Sequence, residues 1–211
     1  MKTPALIALL ASDPLPSRPP AWHLPLAAAV ALGVSLVMVV GGWGLHADLR
    51  GLVASASYQV KTLWVLGLAL SSGLLLWKAA RPARGDGYGM HGIGVLLLAM
   101  AGLGAYNLWH AAPADSLSLV MGQSWWYCPL SIALIALPWL AVWLLYLRQM
   151  APTRLAWSGA SAGFLSGALA TGLYSLHCTE TSYAFFGIWY AAGMGLTSLL
   201  GAFLGPRLLR W

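Results

Sequence analysis

Apolar residues run through this chain in blocks too long and too unbroken for an amphipathic surface helix or an alternating strand. Six such blocks stand at about 24 to 45, 59 to 80, 90 to 110, 128 to 148, 157 to 176 and 185 to 205. A helix of about 20 mostly apolar residues crosses the roughly 30 Å hydrocarbon layer of a bilayer, so each block predicts a transmembrane helix. The blocks are separated by charge, Pro, Gly and polar clusters, such as Ala-Arg-Pro-Ala-Arg-Gly-Asp-Gly at 80 to 87 and Met-Ala-Pro-Thr-Arg at 150 to 154. These connections are short, so consecutive helices are expected to run antiparallel. The fold class predicted is an all-α membrane protein, a six-transmembrane-helix bundle over residues 22–211 preceded by a segment of residues 1–21.

Composition agrees with that pattern. Hydrophobic residues make up 60% of the 211 residues and charged residues 8%, against about a quarter charged in a soluble domain. The formal charge of +6 does not point to direct binding of nucleic acid, because the basic residues stand in ones and twos at the ends of the apolar blocks. With the N-terminus inside, Lys2, Arg18, Lys78, Arg81, Arg84, Arg148, Arg154, Arg207 and Arg210 fall on the cytoplasmic side, and Arg50 and Lys61 on the other. Nine against two is the bias of the positive-inside rule, and it predicts that both termini are cytoplasmic. Trp22, Trp43, Trp64, Trp77, Trp109, Trp125, Trp126, Trp157 and Trp211 lie near predicted helix ends, as interfacial anchors do.

Gly159, Gly163 and Gly167 recur every four residues in the fifth block, and Gly201 and Gly205 do so in the sixth. That spacing lays a groove along a helix into which another backbone fits, so these glycines are expected to serve packing. Pro138 lies inside the fourth block, where it removes a backbone hydrogen bond, frees the Leu134 carbonyl and predicts a kink.

The N-terminal segment carries a helix signal of its own. Thr3 can cap a helix opening at Pro4, Leu6, Leu9 and Leu10 share a face with Ile7 beside them, and Asp13-Pro14 ends it. Two turns do not hold alone in water, so this helix orders only by docking on a membrane surface or a partner. The stretch lacks a small-x-small cleavage pattern before Asp13, so it is expected to be retained rather than removed as a signal peptide.

Chemistry is sparse. The two cysteines, Cys128 and Cys178, both fall on the face opposite the N-terminus. They are candidates for a disulfide, which needs Cα atoms within about 7 Å and an oxidising compartment; the alternative is that each is a small buried apolar residue. Their shared face favours the bridge. His46, His110 and His177 share that face and could hold a soft metal or tune a thiol, but no ligand spacing appears, and only His177, beside Cys178, stands as a weak candidate ligand. The predicted membrane core contains no Asp, Glu, Lys or Arg, which disfavours transport of an ion or proton. No C-x-x-C, HExxH or nucleophile elbow is present, and Glu180 lacks a second carboxylate as partner, so no catalytic residue and no cofactor is expected. The alternative of a different class is a membrane thiol-disulfide oxidoreductase using Cys128 and Cys178 with a quinone.

Several stretches together resemble one family. Trp125-Trp126-Tyr127-Cys128-Pro129-Leu130, Gly172-Leu173-Tyr174-Ser175-Leu176-His177-Cys178, Trp189-Tyr190 before a glycine-rich last helix, and Leu6-Ile7-Ala8-Leu9-Leu10-Ala11-Ser12-Asp13-Pro14 at the N-terminus are similar to the NrsF-like membrane anti-sigma factors. The resemblance covers nearly the whole chain. It implies a multi-pass regulator in the bacterial inner membrane that holds an extracytoplasmic-function sigma factor inactive until oxidant or heavy-metal stress relieves the inhibition. Cys128 and Cys178 would then be the paired periplasmic cysteines of a redox switch, and Leu6, Ile7, Leu9, Leu10 and Asp13 would belong to the sigma-contacting element.

Overall fold

The computed structural model of the chain describes Thr3, residues 23–81 and residues 87–210. The proposed sigma-contacting residues Leu6, Ile7, Leu9, Leu10 and Asp13, with Trp22, Arg84 and Trp211, lie outside the described residues.

All six apolar blocks are helical. In chain order the elements are α1 (His23–Trp43), the short α2 (Leu49–Ala54), α3 (Ala56–Ala79), α4 (Gly87–Trp109), the short α5 (Ser116–Met121), α6 (Cys128–Met150), α7 (Leu155–Tyr174) and α8 (Tyr183–Leu208). Five of the long helices, α1, α3, α4, α6 and α8, are long and apolar enough to cross a membrane. Helix α7, with 20 residues, has the length but a less apolar sequence, because it is built from Gly, Ser, Ala and Thr.

That composition follows from the place α7 occupies. It is the inner helix, packed against α3, α6 and α8, and most of its side chains are buried. Its hydroxyls cost little there, since most bond back to their own helix: Ser166 donates to the Ala162 carbonyl at 2.7 Å and Thr171 to that of Gly167 at 2.7 Å. The glycine ladder is a packing surface, as its spacing predicts. A Cβ at Gly159 or Gly163 would strike the backbone of Gly201 or Thr197, and one at Gly201 or Gly205 would strike Gly159 or Leu155. No side chain fits between α7 and α8 along this seam.

Hydrogen bonds between helices add register. The Ser35 hydroxyl of α1 donates to the Ile135 carbonyl of α6 at 3.0 Å. Pro138 stands inside α6, which continues through it from Cys128 to Met150. The carbonyl met by Ser35 is one residue beyond Leu134, the carbonyl that Pro138 deprives of its N–H, and it lies in the same loosened turn. Ser158 donates to Ala79 at 3.2 Å and Ser198 to Ala160 at 3.0 Å.

Two expectations about single residues are corrected. Trp64 is no interfacial anchor: it is 5% exposed, and its indole N–H donates to the Leu96 carbonyl of α4 at 2.8 Å. Trp109 and Trp126, by contrast, are largely exposed near helix ends, as anchors are. Lys61 is no interfacial cation either. Helix α3 begins at Ala56, which draws Lys61 into its second turn, and the side chain is 1% exposed. The apolar helices therefore do carry a buried ionisable group, contrary to the expectation of a charge-free core.

Candidate functional site

The antiparallel helices gather two sets of residues at opposite ends of the bundle. At one end lie Lys78, Arg81, Arg148, Arg154 and Arg207, close to the ends of α3, α6, α7 and α8. Arg81 covers the Trp77 ring at 4.0 Å, Arg207 that of Phe203 at 3.6 Å, and Lys78 that of Tyr88 at 4.6 Å. At the other end the first residue of α6, Cys128, and the loop after α7, with Cys178, fall in one buried cluster with Tyr174, Phe185, Phe186 and Tyr190.

Both cysteines are free thiols and buried, Cys128 at 0% and Cys178 at 3% exposure. They share one end of the bundle, but no bridge joins them, so the disulfide favoured from their shared face is not seen. The hydroxyl-bearing rings of Tyr174 and Tyr190 share that cluster. Neither hydroxyl completes an aligned hydrogen bond, although both are buried. The two tyrosine rings pack edge to face with centroids 6.1 Å apart.

Lys61 closes the cluster from α3. Its ammonium stands over the rings of Phe186 at 4.9 Å, Tyr58 at 5.1 Å and Tyr190 at 5.9 Å, and has no hydrogen-bond partner. A cation over an aromatic face gains about 2 kcal/mol when water is excluded, which offsets part of the desolvation. Phe186 and Tyr190 open and close the single π-helical turn of α8, Phe186–Tyr190. Such wide turns insert one residue into a helix and recur at functional sites.

A cavity of about 140 Å³ leads toward this cluster, lined among others by Tyr127, Tyr174, His177, Cys178 and Glu180. Cys178 lines it and Cys128 does not. The loop before α6 is clamped to the loop after α7 by Glu180, whose carboxylate accepts from the Gln123 N–H at 2.7 Å and from the Ser124 hydroxyl at 3.5 Å. Gly122, at φ 55°, lets the chain turn under this carboxylate. A Cβ there would fall 2.6 Å from Glu180 and 2.8 Å from the Phe185 ring.

The histidines take other roles. His177 turns Nδ1 to the Gly44 carbonyl at 3.1 Å, and Nδ1 of His46 accepts from the Asp48 N–H at 3.1 Å. His110 packs at a tilt against Tyr106 with centroids 4.4 Å apart. Among the described residues no three His, Cys, Asp or Glu come together in a way that could hold a metal ion, so His177 gains no co-ligands there.

Sequence reading missed Lys61, Phe186 and the role of Tyr190. The available signal was the Tyr58-x-x-Lys61 spacing, which puts an aromatic ring and the lysine on one helix face. The aromatic face on α8, with Phe186 and Tyr190 standing 125 and 129 residues beyond Lys61, has no local signature.

These features define a bundle of helices of membrane-crossing length, with a buried thiol chamber at one end and cations at the other. A family model described as negative regulator of sigma F, NrsF, matches residues 10–211, and the chain belongs to that family. It is similar to a protein of Azospira oryzae named probable anti-sigma-F factor NrsF, with 33% identity over 214 residues and 100% of each chain covered. It is likewise similar to the anti-sigma-F factor NrsF of Caulobacter vibrioides, with 34% identity over 217 residues and 100% of each chain covered. No solved structure matches.

Proposed function

We propose that this protein is a multi-pass anti-sigma factor of the bacterial inner membrane. It holds an extracytoplasmic-function sigma factor through residues 1–21 and releases it when the thiol pair Cys128 and Cys178 is oxidised in the periplasm. All six long helices span, α7 included, since a helix sheathed by α3, α6 and α8 needs little apolar surface of its own. Both termini then lie in the cytoplasm with the basic end of the bundle.

The observation that carries this reading is the pair of thiols: two cysteines 50 positions apart in the chain share one buried cluster at the end opposite Lys78, Arg81, Arg148, Arg154 and Arg207, in a chain of the anti-sigma family. Oxidation would join the two sulfurs, releasing two protons and passing two electrons to the oxidant. The joined cysteines would draw the start of α6 toward the end of α7, and the close α7–α8 seam would transmit that shift as a rigid unit.

Deleting residues 1–21 tests the binding half. The sigma factor is expected to co-purify with the full chain and not with the deletion; undiminished retention by the deletion would overturn this assignment. The sensing half is tested by Cys128→Ser and Cys178→Ser, which are expected to alter a sigma-dependent reporter in the same direction. A cysteine whose loss leaves the reporter response unchanged would be a packing residue.

A further inference from the structure

Two loops at the thiol end are joined by hydrogen bonds that a pairing of the cysteines does not use. The Leu176 carbonyl accepts from the His46 N–H at 3.1 Å, and His177 meets the Gly44 carbonyl through Nδ1 at 3.1 Å. A carbonyl can only accept, so Nδ1 carries the proton of this bond. The loop that bears Cys178 is thereby fastened, by the two residues before the cysteine, to the loop that leaves α1.

Gly44 has a second duty. Its N–H donates to the Val39 carbonyl at 2.9 Å, closing the π-helical turn Val39–Trp43 that ends α1, and its φ of 78° turns the chain out of the helix. The residue that closes the wide turn is therefore the one that His177 holds. Beyond it the loop is pinned: Nδ1 of His46 accepts from the Asp48 N–H at 3.1 Å, and the Asp48 carboxylate caps α2 at the Gly51 N–H at 2.9 Å. The turn itself contains Gly41 and Gly42, where an added Cβ would meet nothing within 4 Å. Unlike the glycines of α7 they permit no close approach, and glycine inside a helix is destabilising. What they provide is a turn that bends easily.

Helix α1 is placed to use it. It lies on the outside of the bundle, packed chiefly against α6, to which Ser35 ties it beside Pro138, and Val30, Val34 and Val37 are exposed. Helices α7 and α8 are fixed to each other by their seam. A displacement of the Cys178 loop is thus taken up by α1 rather than by α7. Helix α1 opens at His23, directly after residues 1–21.

We infer that α1 is the output helix of the sensor and that His177 is the positioning residue coupling it to Cys178. In the reduced protein the bond from His177 to Gly44 holds the wide turn, and with it α1, in the placement that keeps the sigma factor bound. Joining Cys178 to Cys128 pulls the loop toward the start of α6 and breaks that bond. The turn relaxes, α1 shifts against α6, and residues 1–21 move with it. This role of α1 rests on the reading of the two cysteines as the sensing pair and of residues 1–21 as the sigma-binding segment.

The test uses membranes carrying the full chain and the sigma factor, with and without diamide, whose N=N bond takes up the two electrons and two protons of the thiol pair. His177→Ala is expected to lower sigma retention before any oxidant by about fivefold, the worth of one net hydrogen bond, and diamide to add little. The disulfide should still form in that variant, as read by mass spectrometry, which separates a lost coupling from a damaged thiol pair. His177→Asn keeps an N–H donor near the Nδ1 position and is expected to restore retention. A His177→Ala protein that holds and releases the sigma factor as the parent does would overturn the inference. Should that variant fail to fold, hydrogen exchange in the parent decides: oxidation is expected to speed exchange of the Gly44 and His46 amides, with no such change in the Cys128→Ser, Cys178→Ser double variant, and exchange indifferent to oxidation would overturn the coupling. The sensing reading fails separately: faster exchange at Gly44 and His46 alongside constant sigma retention keeps the joint between the Cys178 loop and α1 and removes its regulatory use.

Discussion

Cys128 and Cys178 have almost no surface, so their chemistry is set by what surrounds them and by the cavity that reaches one of them. The cavity touches Cys178 alone. A water-soluble maleimide added to the folded protein is therefore expected to label Cys178 several-fold faster than Cys128, and the contrast to vanish in denaturant, as read by mass spectrometry of tryptic peptides; equal rates in the folded protein would show that the cavity does not control access to the thiols. The clamp at Glu180 belongs to the same scale. Glu180→Ala leaves the Gln123 N–H without its 2.7 Å acceptor and is expected to loosen the loop before α6, raising the labelling of Cys178. The cysteines, Tyr174 and His177 were legible in the sequence because they stand together in short motifs near helix ends. Lys61 was not. A lone lysine near the end of an apolar block reads as an interfacial cation, and its burial depends on Phe186 and Tyr190, brought over it by the π-helical turn of α8.

At the scale of elements the α7–α8 seam decides stability. Gly163→Ala places a methyl group against the Thr197 backbone and is expected to cost about 1–3 kcal/mol. Gly195→Ala, on α8 with open space around the new carbon, is expected to be neutral within about 0.5 kcal/mol. Unfolding of the two variants by denaturing detergent measures the difference, and equal losses would refute the seam as the tight contact. Ser35→Ala, which removes the bond from α1 to Ile135, should cost about 0.6 kcal/mol, the usual worth of a hydrogen bond between membrane helices. Helix positions were readable to within three residues at each end, because the length of an apolar block is fixed by what it must bury. The i, i+4 glycines marked the seam as well. Partner choice was less accessible: that α7 is the inner helix follows from its small residues only once α3, α6 and α8 are seen around it. Trp64, read from position as an anchor, turned out to join α3 to α4, since hydropathy does not tell which face of a helix looks inward.

Across the whole molecule two ends are joined by the bundle. Thiols at one end and the arginine-rich set at the other are separated by the length of the bundle, and the helices between them are packed without room for side chains along the α7–α8 seam. A change imposed on the loops around Cys128 and Cys178 therefore has a stiff path to the far side, where residues 1–21 are proposed to hold the sigma factor. Such a path implies two states of the bundle with different affinity for that partner. The direct measurement is the fraction of sigma factor retained on membranes carrying the full chain, before and after oxidation with diamide, compared with the Cys128→Ser, Cys178→Ser double variant. The account predicts that oxidation releases the sigma factor from the parent protein and leaves it bound to the double variant; retention unchanged by oxidation in the parent, or equal release from both, would contradict it.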